Sequence, residues 1–233
     1  MDDTLPILLI PGLGGSPRIY APVMPDLWRH GPVMVANHIR DDSIAAIARR
    51  VLAEAPPRFA LAGHSMGGYI AFEIIRQAPQ RVVKLALINT QARPDTPEAT
   101  ARRRGLIAAI EAGGFNDGIA TLFPGFVHPS RAKDAALRQQ VEDMAHDVGP
   151  AAFVRQLIAV MGRADSRPTL AQVACPTLVL TGDQDNTIAN ALSVEMADAI
   201  PGARLAILAE CGHLPQLEQP RATSEALLGW LRN

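Results

Sequence analysis

The chain is poor in the features that announce several large classes of protein. It has two cysteines, Cys175 and Cys211, among 233 residues. Two thiols so placed make neither a metal-ligand spacing nor a disulfide framework, and they predict free thiols in a reducing compartment. Net charge is also scarce, at −1, so no sustained basic face exists to neutralise phosphates and nucleic acid is not an expected partner. The one dense basic cluster, Arg102 to Arg104, reads as a solvated helix surface. No apolar run approaches the roughly 18–20 residues that span a bilayer. The opening stretch "MDDTLPILLIPG" puts acids where an export signal needs positive charge, so the expectation is a soluble cytoplasmic protein with no membrane insertion. His30, His38, His128 and His146 lack ligand spacing, and neither a metal nor a cofactor is expected.

What the chain does have is apolar material. Hydrophobic residues make up 48% and charged residues 19%, ample for a substantial core and unlike a disordered chain. Six short apolar runs read as strands: Ile7 to Ile10, Val33 to Ala36, Phe59 to Ala62, Val82 to Ile88, Thr177 to Thr181 and Arg204 to Leu208. Most are apolar on successive residues, which suits strands covered on both faces of a parallel sheet. Helical patterns separate them, from Asp42 or Ser43 to about Glu54, from Met66 to Ala78, from Ala189 to Ile200 and from Thr223 to Leu231. Alternation of this kind predicts an α/β fold, a mostly parallel sheet flanked by helices. Between about Arg93 and Gln172 the alternation stops. Helical patterns fill that stretch: one starts near Pro97 and ends near Gly113 and Gly114, one spans Arg131 to His146, and one opens at Pro150. The expected organisation is a core of residues 1–92 and 173–233 with a helical cap insertion at 93–172.

The chemistry centres on "GHSMGG", residues 63 to 68. It follows the strand "RFALA" at once and opens the helix "MGGYIAFEIIRQA", the context of a nucleophile elbow. A strand turning directly into a helix forces Ser65 into an unfavourable backbone conformation, and side chains at Gly63 and Gly67 would collide with neighbouring chain. Serine is a weak nucleophile at neutral pH and needs a base, which in turn needs an orienting acid. In a parallel sheet such partners sit just past the C-terminal ends of other strands. Two stretches qualify, "TLVLTGDQD" with Asp183 and Asp185, and "RLAILAECGHLPQLEQP" with His213. The elbow itself supplies one oxyanion donor, the N–H of Met66 at the helix start. His64, beside the nucleophile, should point away from it and serve the structure.

The serine elbow, the G-x-x-D turn at 182–185 and "GHLPQLEQP" at 212–220, in this order, resemble the α/β-hydrolase superfamily over essentially the whole chain. The resemblance implies an α/β-hydrolase fold with a variable helical cap, and it assigns the acid to Asp185 rather than Asp183. It also implies that Leu13, in "IPGLGGSPRIY", is the second oxyanion donor, with Gly12 letting the backbone approach. Pro11 stands where many members carry histidine. The antiparallel strands that many relatives place ahead of this loop find no counterpart, so a trimmed sheet of about six strands is expected.

The activity implied is a serine hydrolase of small carboxylic esters, lactones or thioesters working through an acyl-enzyme, with a small-molecule substrate. Serine rather than aspartate at the elbow excludes the haloalkane dehalogenase and epoxide hydrolase chemistries of the superfamily. The alternatives are another reaction on the same triad (C–C bond hydrolysis, a menaquinone-pathway lyase step, peptide hydrolysis or perhydrolysis) or a non-catalytic ligand receptor. Phe115, Phe123, Phe126, Phe153 and Met161 are candidates either to line an acyl pocket or to hold the cap together.

Overall fold

A computed structural model describes residues 4–232; the acids Asp2 and Asp3 of the opening stretch lie outside them. Six strands form one sheet: β1 (Ile7–Ile10), β2 (Val33–Val35), β3 (Phe59–His64), β4 (Val82–Ile88), β5 (Thr177–Gly182) and β6 (Arg204–Leu208). Their order is β2-β1-β3-β4-β5-β6 and every neighbouring pair is parallel. The expected runs are the observed strands to within two residues at their ends. β1, β3 and β5 are buried at every position, as strands covered on both faces should be, whereas the edge strand β6 is largely open although Leu205 to Leu208 are all apolar.

The eleven α-helices among the described residues are α1 (Met24–Trp28), α2 (Ile44–Glu54), α3 (Met66–Gln77), α4 (Pro97–Glu111), α5 (Phe115–Phe126), α6 (Ala135–Val148), α7 (Pro150–Met161), α8 (Arg167–Leu170), α9 (Asn190–Ala199), α10 (Pro215–Glu218) and α11 (Pro220–Arg232). Alternate strand residues bury two separate apolar faces. Leu8, Ile10, Leu61, Leu85, Leu87 and Val179 pack with side chains of α2, α3 and α9. Ile7, Leu9, Ala60, Ala62, Ala86, Ile88, Leu178 and Leu180 pack with α1, α11 and the helices between β4 and β5.

Residues between β4 and β5 contribute no strand among the described residues; five helices, α4 to α8, lie there. Helix α5 has no counterpart in the sequence reading. Gly113 and Gly114 end α4, but Gly114 is also the N-cap of α5, and Pro124 lies inside that helix, so glycine and proline masked the periodicity. Similarly, α11 starts at Pro220, three residues before Thr223, because proline is tolerated in a first turn whose N–H groups have no intrahelical acceptor.

The topology positions the site. From β1 the chain goes to β2 on one side, then returns past β1 to β3 and continues outward to β6. At the β1/β3 switch point two loops leaving strand ends diverge and leave a crevice. The loop after β1 and the turn after β3 meet there: a Cβ on Gly67 would strike the carbonyl oxygen of Ile10, and one on Gly63 the carbonyl of Gly67.

Gly67→Ala should lower the unfolding free energy by roughly 1–3 kcal/mol through overpacking, read as a fall of about 2–4 °C in Tm per kcal/mol. Gly105→Ala, where a Cβ meets nothing within 4 Å on exposed α4, should raise stability by up to about 1 kcal/mol. Thermal melts of the two variants check the contrast.

Candidate active site

Ser65 occupies the turn between β3 and α3 with φ 52° and ψ −115°, a conformation that costs a side-chain-bearing residue about 1–3 kcal/mol. Three bonds hold it there. Its N–H donates to the Ile88 carbonyl at 2.9 Å, and its own carbonyl accepts the Thr90 hydroxyl at 2.7 Å and the Gly68 N–H at 2.9 Å. The result is a hydroxyl raised at the end of the sheet, lining a cavity of about 800 Å³.

The structure brings His213 and Asp185 to that hydroxyl. His213 Nε2 lies 2.9 Å from Ser65 Oγ, and His213 Nδ1 lies 2.8 Å from Asp185 Oδ2. With Nδ1–H donating to the carboxylate, Nε2 is left as the acceptor for the serine proton. Asp185, at the end of the β5 loop, is held on both oxygens. Oδ1 accepts the N–H groups of Thr187 and Ile188 at 2.8 and 2.9 Å, and Oδ2 accepts the Asn89 amide at 2.8 Å as well as His213. Burial is the largest single influence on this carboxyl and would raise its pKa. The His213 charge and these hydrogen bonds together outweigh it and keep Asp185 ionised below the ordinary carboxylate range.

Asp183, the other acid of that loop, does not reach the imidazole. Its Oδ1 accepts the Cys211 N–H at 3.0 Å, tying the β5 loop to the loop after β6. That second loop is also set by Glu218, a buried carboxylate that accepts the N–H groups of Gly212, Leu214 and His128. The His213 N–H donates to the Phe126 carbonyl at 2.9 Å, and the Phe126 ring stacks 6.2 Å from the imidazole.

The two expected anion donors flank the serine. Met66 begins α3, so its N–H has no intrahelical acceptor. The Leu13 N–H makes no hydrogen bond among the described residues. The peptide joining Gly12 to Leu13 is held from its opposite side: the Gly12 carbonyl accepts His38 Nε2–H and the Gly15 N–H, each at 3.0 Å. In a trans peptide the carbonyl and the following N–H point in opposite directions, so His38 aims the Leu13 amide. Gly14, with φ +66°, donates its N–H to Gln156 Oε1 of α7 at 2.9 Å.

His38, Asn89, Gln156 and Glu218 were missed as site residues in the sequence. His38 lacks ligand spacing and Gln156 lies 142 positions from its partner, so no local signal marks them. His64 turns behind the elbow, its Nε2–H donating to the His213 carbonyl at 2.8 Å while Nδ1 has no partner. Of the five apolar candidates only Phe126 lines the cavity. Phe115, Phe123 and Phe153 are buried in the apolar cluster that joins the helices to the sheet, and Phe153 also packs where a Cβ on Gly14 would lie. The arginine cluster is not simply a solvated face, because Arg102 and Arg103 line the cavity. Cys175 and Cys211 are unpaired. Among the described residues no group of three or more His, Cys, Asp or Glu is arranged to hold a metal ion, and no helix is long and apolar enough to cross a membrane.

A family model described as the alpha/beta hydrolase family matches residues 7–226. The chain is 30% identical to "Putative carbamate hydrolase RutD" of Azorhizobium caulinodans over 97% of its own length and 90% of that protein. Among solved structures, a thermophilic esterase from Thermogutta terrifontis superposes with a TM-score of 0.89 at 27% identity, covering 98% of this chain and 89% of the other. An enol-lactonase from Burkholderia xenovorans shares the fold with a TM-score of 0.88 at 22% identity, covering 99% of this chain and 92% of that one.

Burial lowers the His64 pKa to about 3, with the His213 charge adding to it, and burial likewise lowers His38 against the opposing Gly12 hydrogen bond. A histidine kept neutral in the native state takes up protons on unfolding, so stability is full above its unfolded pKa and is lost as pH falls. From about pH 6.5 downward, toward pH 3 for His64, each should remove up to about 1.4 kcal/mol per pH unit. Urea denaturation at steps from pH 7 to pH 4 measures that slope, and His64→Asn should reduce it; an unchanged slope in the variant contradicts the assignment.

Proposed function

The chain belongs to the alpha/beta hydrolase family, and on that premise we propose that it is a serine hydrolase cleaving small carboxylic esters, lactones or thioesters through an acyl-enzyme. The observation that carries the reading is the continuous row from Ser65 Oγ through His213 to Asp185, with both hydrogen bonds below 3 Å.

In this mechanism His213 Nε2 takes the hydroxyl proton as Ser65 Oγ attacks the substrate carbonyl. Asp185 keeps the imidazole in the Nδ1–H tautomer and stabilises the imidazolium that forms. The tetrahedral oxyanion settles between the N–H groups of Leu13 and Met66; a single such donor typically contributes about 10²–10³ in turnover. Collapse sends the proton from His213 to the leaving group and leaves an acyl-Ser65 ester. Water, deprotonated by the same imidazole, then releases the acid and restores the serine. The helical segment at 93–172 acts as the cap that selects the substrate. The structure's support for this role is that residues of α4, α5, α6 and α7 line the cavity above Ser65.

A second reading is carbamate hydrolysis, which the name of the Azorhizobium relative favours. Attack by Ser65 expels the alcohol as it does from an ester; the difference is that a carbamoyl-Ser65 forms, and water releases it as carbamic acid, which breaks down to carbon dioxide and the amine.

Ser65→Ala should remove acyl-enzyme formation, with a loss approaching about 10⁶-fold on p-nitrophenyl esters of short acids. Activity within tenfold of the unsubstituted enzyme would refute the assignment. Asp185→Asn should slow turnover far more than Asp183→Asn, since only Asp185 touches the imidazole; the reverse order assigns the acid to Asp183. Parallel assays on a p-nitrophenyl ester and a primary carbamate of matched size separate the two readings.

A further inference from the structure

Arg103 is held in an arrangement that its exposed helix does not require. Its Nε donates to both oxygens of Asp95 at 3.3 and 3.4 Å, and the same carboxylate takes Nη1 of Arg163 at 2.7 Å. Asp95 is 2% exposed and Arg163 4%. Arg163 also donates through Nε and Nη1 to the carbonyls of Arg93 and Val160, and its guanidinium lies 4.5 Å over the Tyr69 ring. One buried carboxylate therefore serves two guanidinium groups, and the cluster retains a single uncompensated positive charge. Arg163 does not line the cavity that holds Ser65. Arg103, 27% exposed at the cavity wall, makes no hydrogen bond through either Nη atom among the described residues.

The surplus charge thus faces the cavity that holds Ser65. Much of the remaining wall is apolar, with Leu106, Leu122, Phe126, Met144 and Leu157. A charge beside such a low-dielectric wall is weakly screened and attracts an anion strongly. Arg102 and Asp117 also line the cavity and cancel each other in formal charge, so they leave the surplus on Arg103 intact. A guanidinium with its Nε tethered and both Nη groups open presents a planar fork that matches one carboxylate. One surplus charge suits a single carboxylate group at this wall better than a doubly charged phosphate group.

We propose that Arg103 is a carboxylate-binding subsite, and that the substrate carries a free carboxylate remote from the carbonyl that Ser65 attacks. The chemical class is a monoester, thioester or lactone of a short dicarboxylic acid, with the second acid group on Arg103. This rests on the assignment of Ser65 as nucleophile made above. A cavity of about 800 Å³ is of the size that encloses small ligands.

Two measurements separate this subsite from the hydrolase reading beneath it. The first compares kcat/KM for mono-p-nitrophenyl adipate and p-nitrophenyl hexanoate, which differ chiefly by the terminal carboxylate. The acid should be preferred by about tenfold or more, as for a charge-assisted bidentate pair. Arg103→Gln should erase the preference mainly through KM, and Arg103→Lys, which keeps the charge without the fork, should retain part of it. The second needs no turnover. Free adipate should raise the Tm of the unsubstituted protein but not of Arg103→Gln, and dimethyl adipate should raise neither. Hexanoate hydrolysis without preference for the acid, or an adipate shift that survives Arg103→Gln, would overturn the subsite. Absence of all ester turnover together with an Arg103-dependent adipate shift would instead leave the subsite standing and overturn the esterase reading.

Discussion

A buried carboxylate at the end of the fifth strand organises the site. Asp185 sits where water cannot reach it freely, and it stays ionised because each oxygen receives two donors: backbone N–H groups of Thr187 and Ile188 on one side, Asn89 and His213 on the other. A buried charge without such partners would take up a proton instead. Once the anion is fixed, the tautomer of His213 follows, and with it the open Nε2 lone pair that faces Ser65 Oγ. The Asn89 amide also donates to the Gly212 carbonyl, so the residue that restrains the acid restrains the histidine loop as well.

The same economy governs the other side of the cavity. His38 and Gly15 hold the Gly12 carbonyl, and Gln156 holds the Gly14 N–H, so the peptide between Gly12 and Leu13 is restrained on both flanks. The Leu13 amide is thereby fixed within the loop before any substrate arrives, and a fixed donor needs little reorganisation when charge develops nearby. His38, from the loop after β2, supplies the side-chain part of that restraint.

The helices between β4 and β5 take part in that scaffold. Gln156 of α7 reaches the first loop, the Phe126 carbonyl at the end of α5 receives the His213 N–H, the His128 N–H reaches Glu218, and the Thr187 hydroxyl donates to the Gly125 carbonyl. Four hydrogen bonds thus tie this segment to the loop after β1, the loop after β5, and the His213 loop with α10.

The strand runs and the serine turn were legible because each is a local property. Apolar residues in succession mark a strand covered on both faces, and glycines around Ser65 mark a turn with no room for side chains. Ser65, Asp185 and His213 were legible as candidates because each follows a strand in a sheet whose ends share one edge. Helix α5 was hidden by Gly114 and Pro124, which are punctuation in a sequence but an N-cap and an accommodated helix residue in the packed molecule. The resemblance already favoured Asp185 over Asp183, and the fold adds its contact with His213; the duty of His38, the reach of Gln156 and the open fork of Arg103 belong to the tertiary structure alone. Each is decided by a contact between residues far apart in the chain, and hydrogen-bond direction, unlike hydrophobic period, leaves no local trace in the order of amino acids.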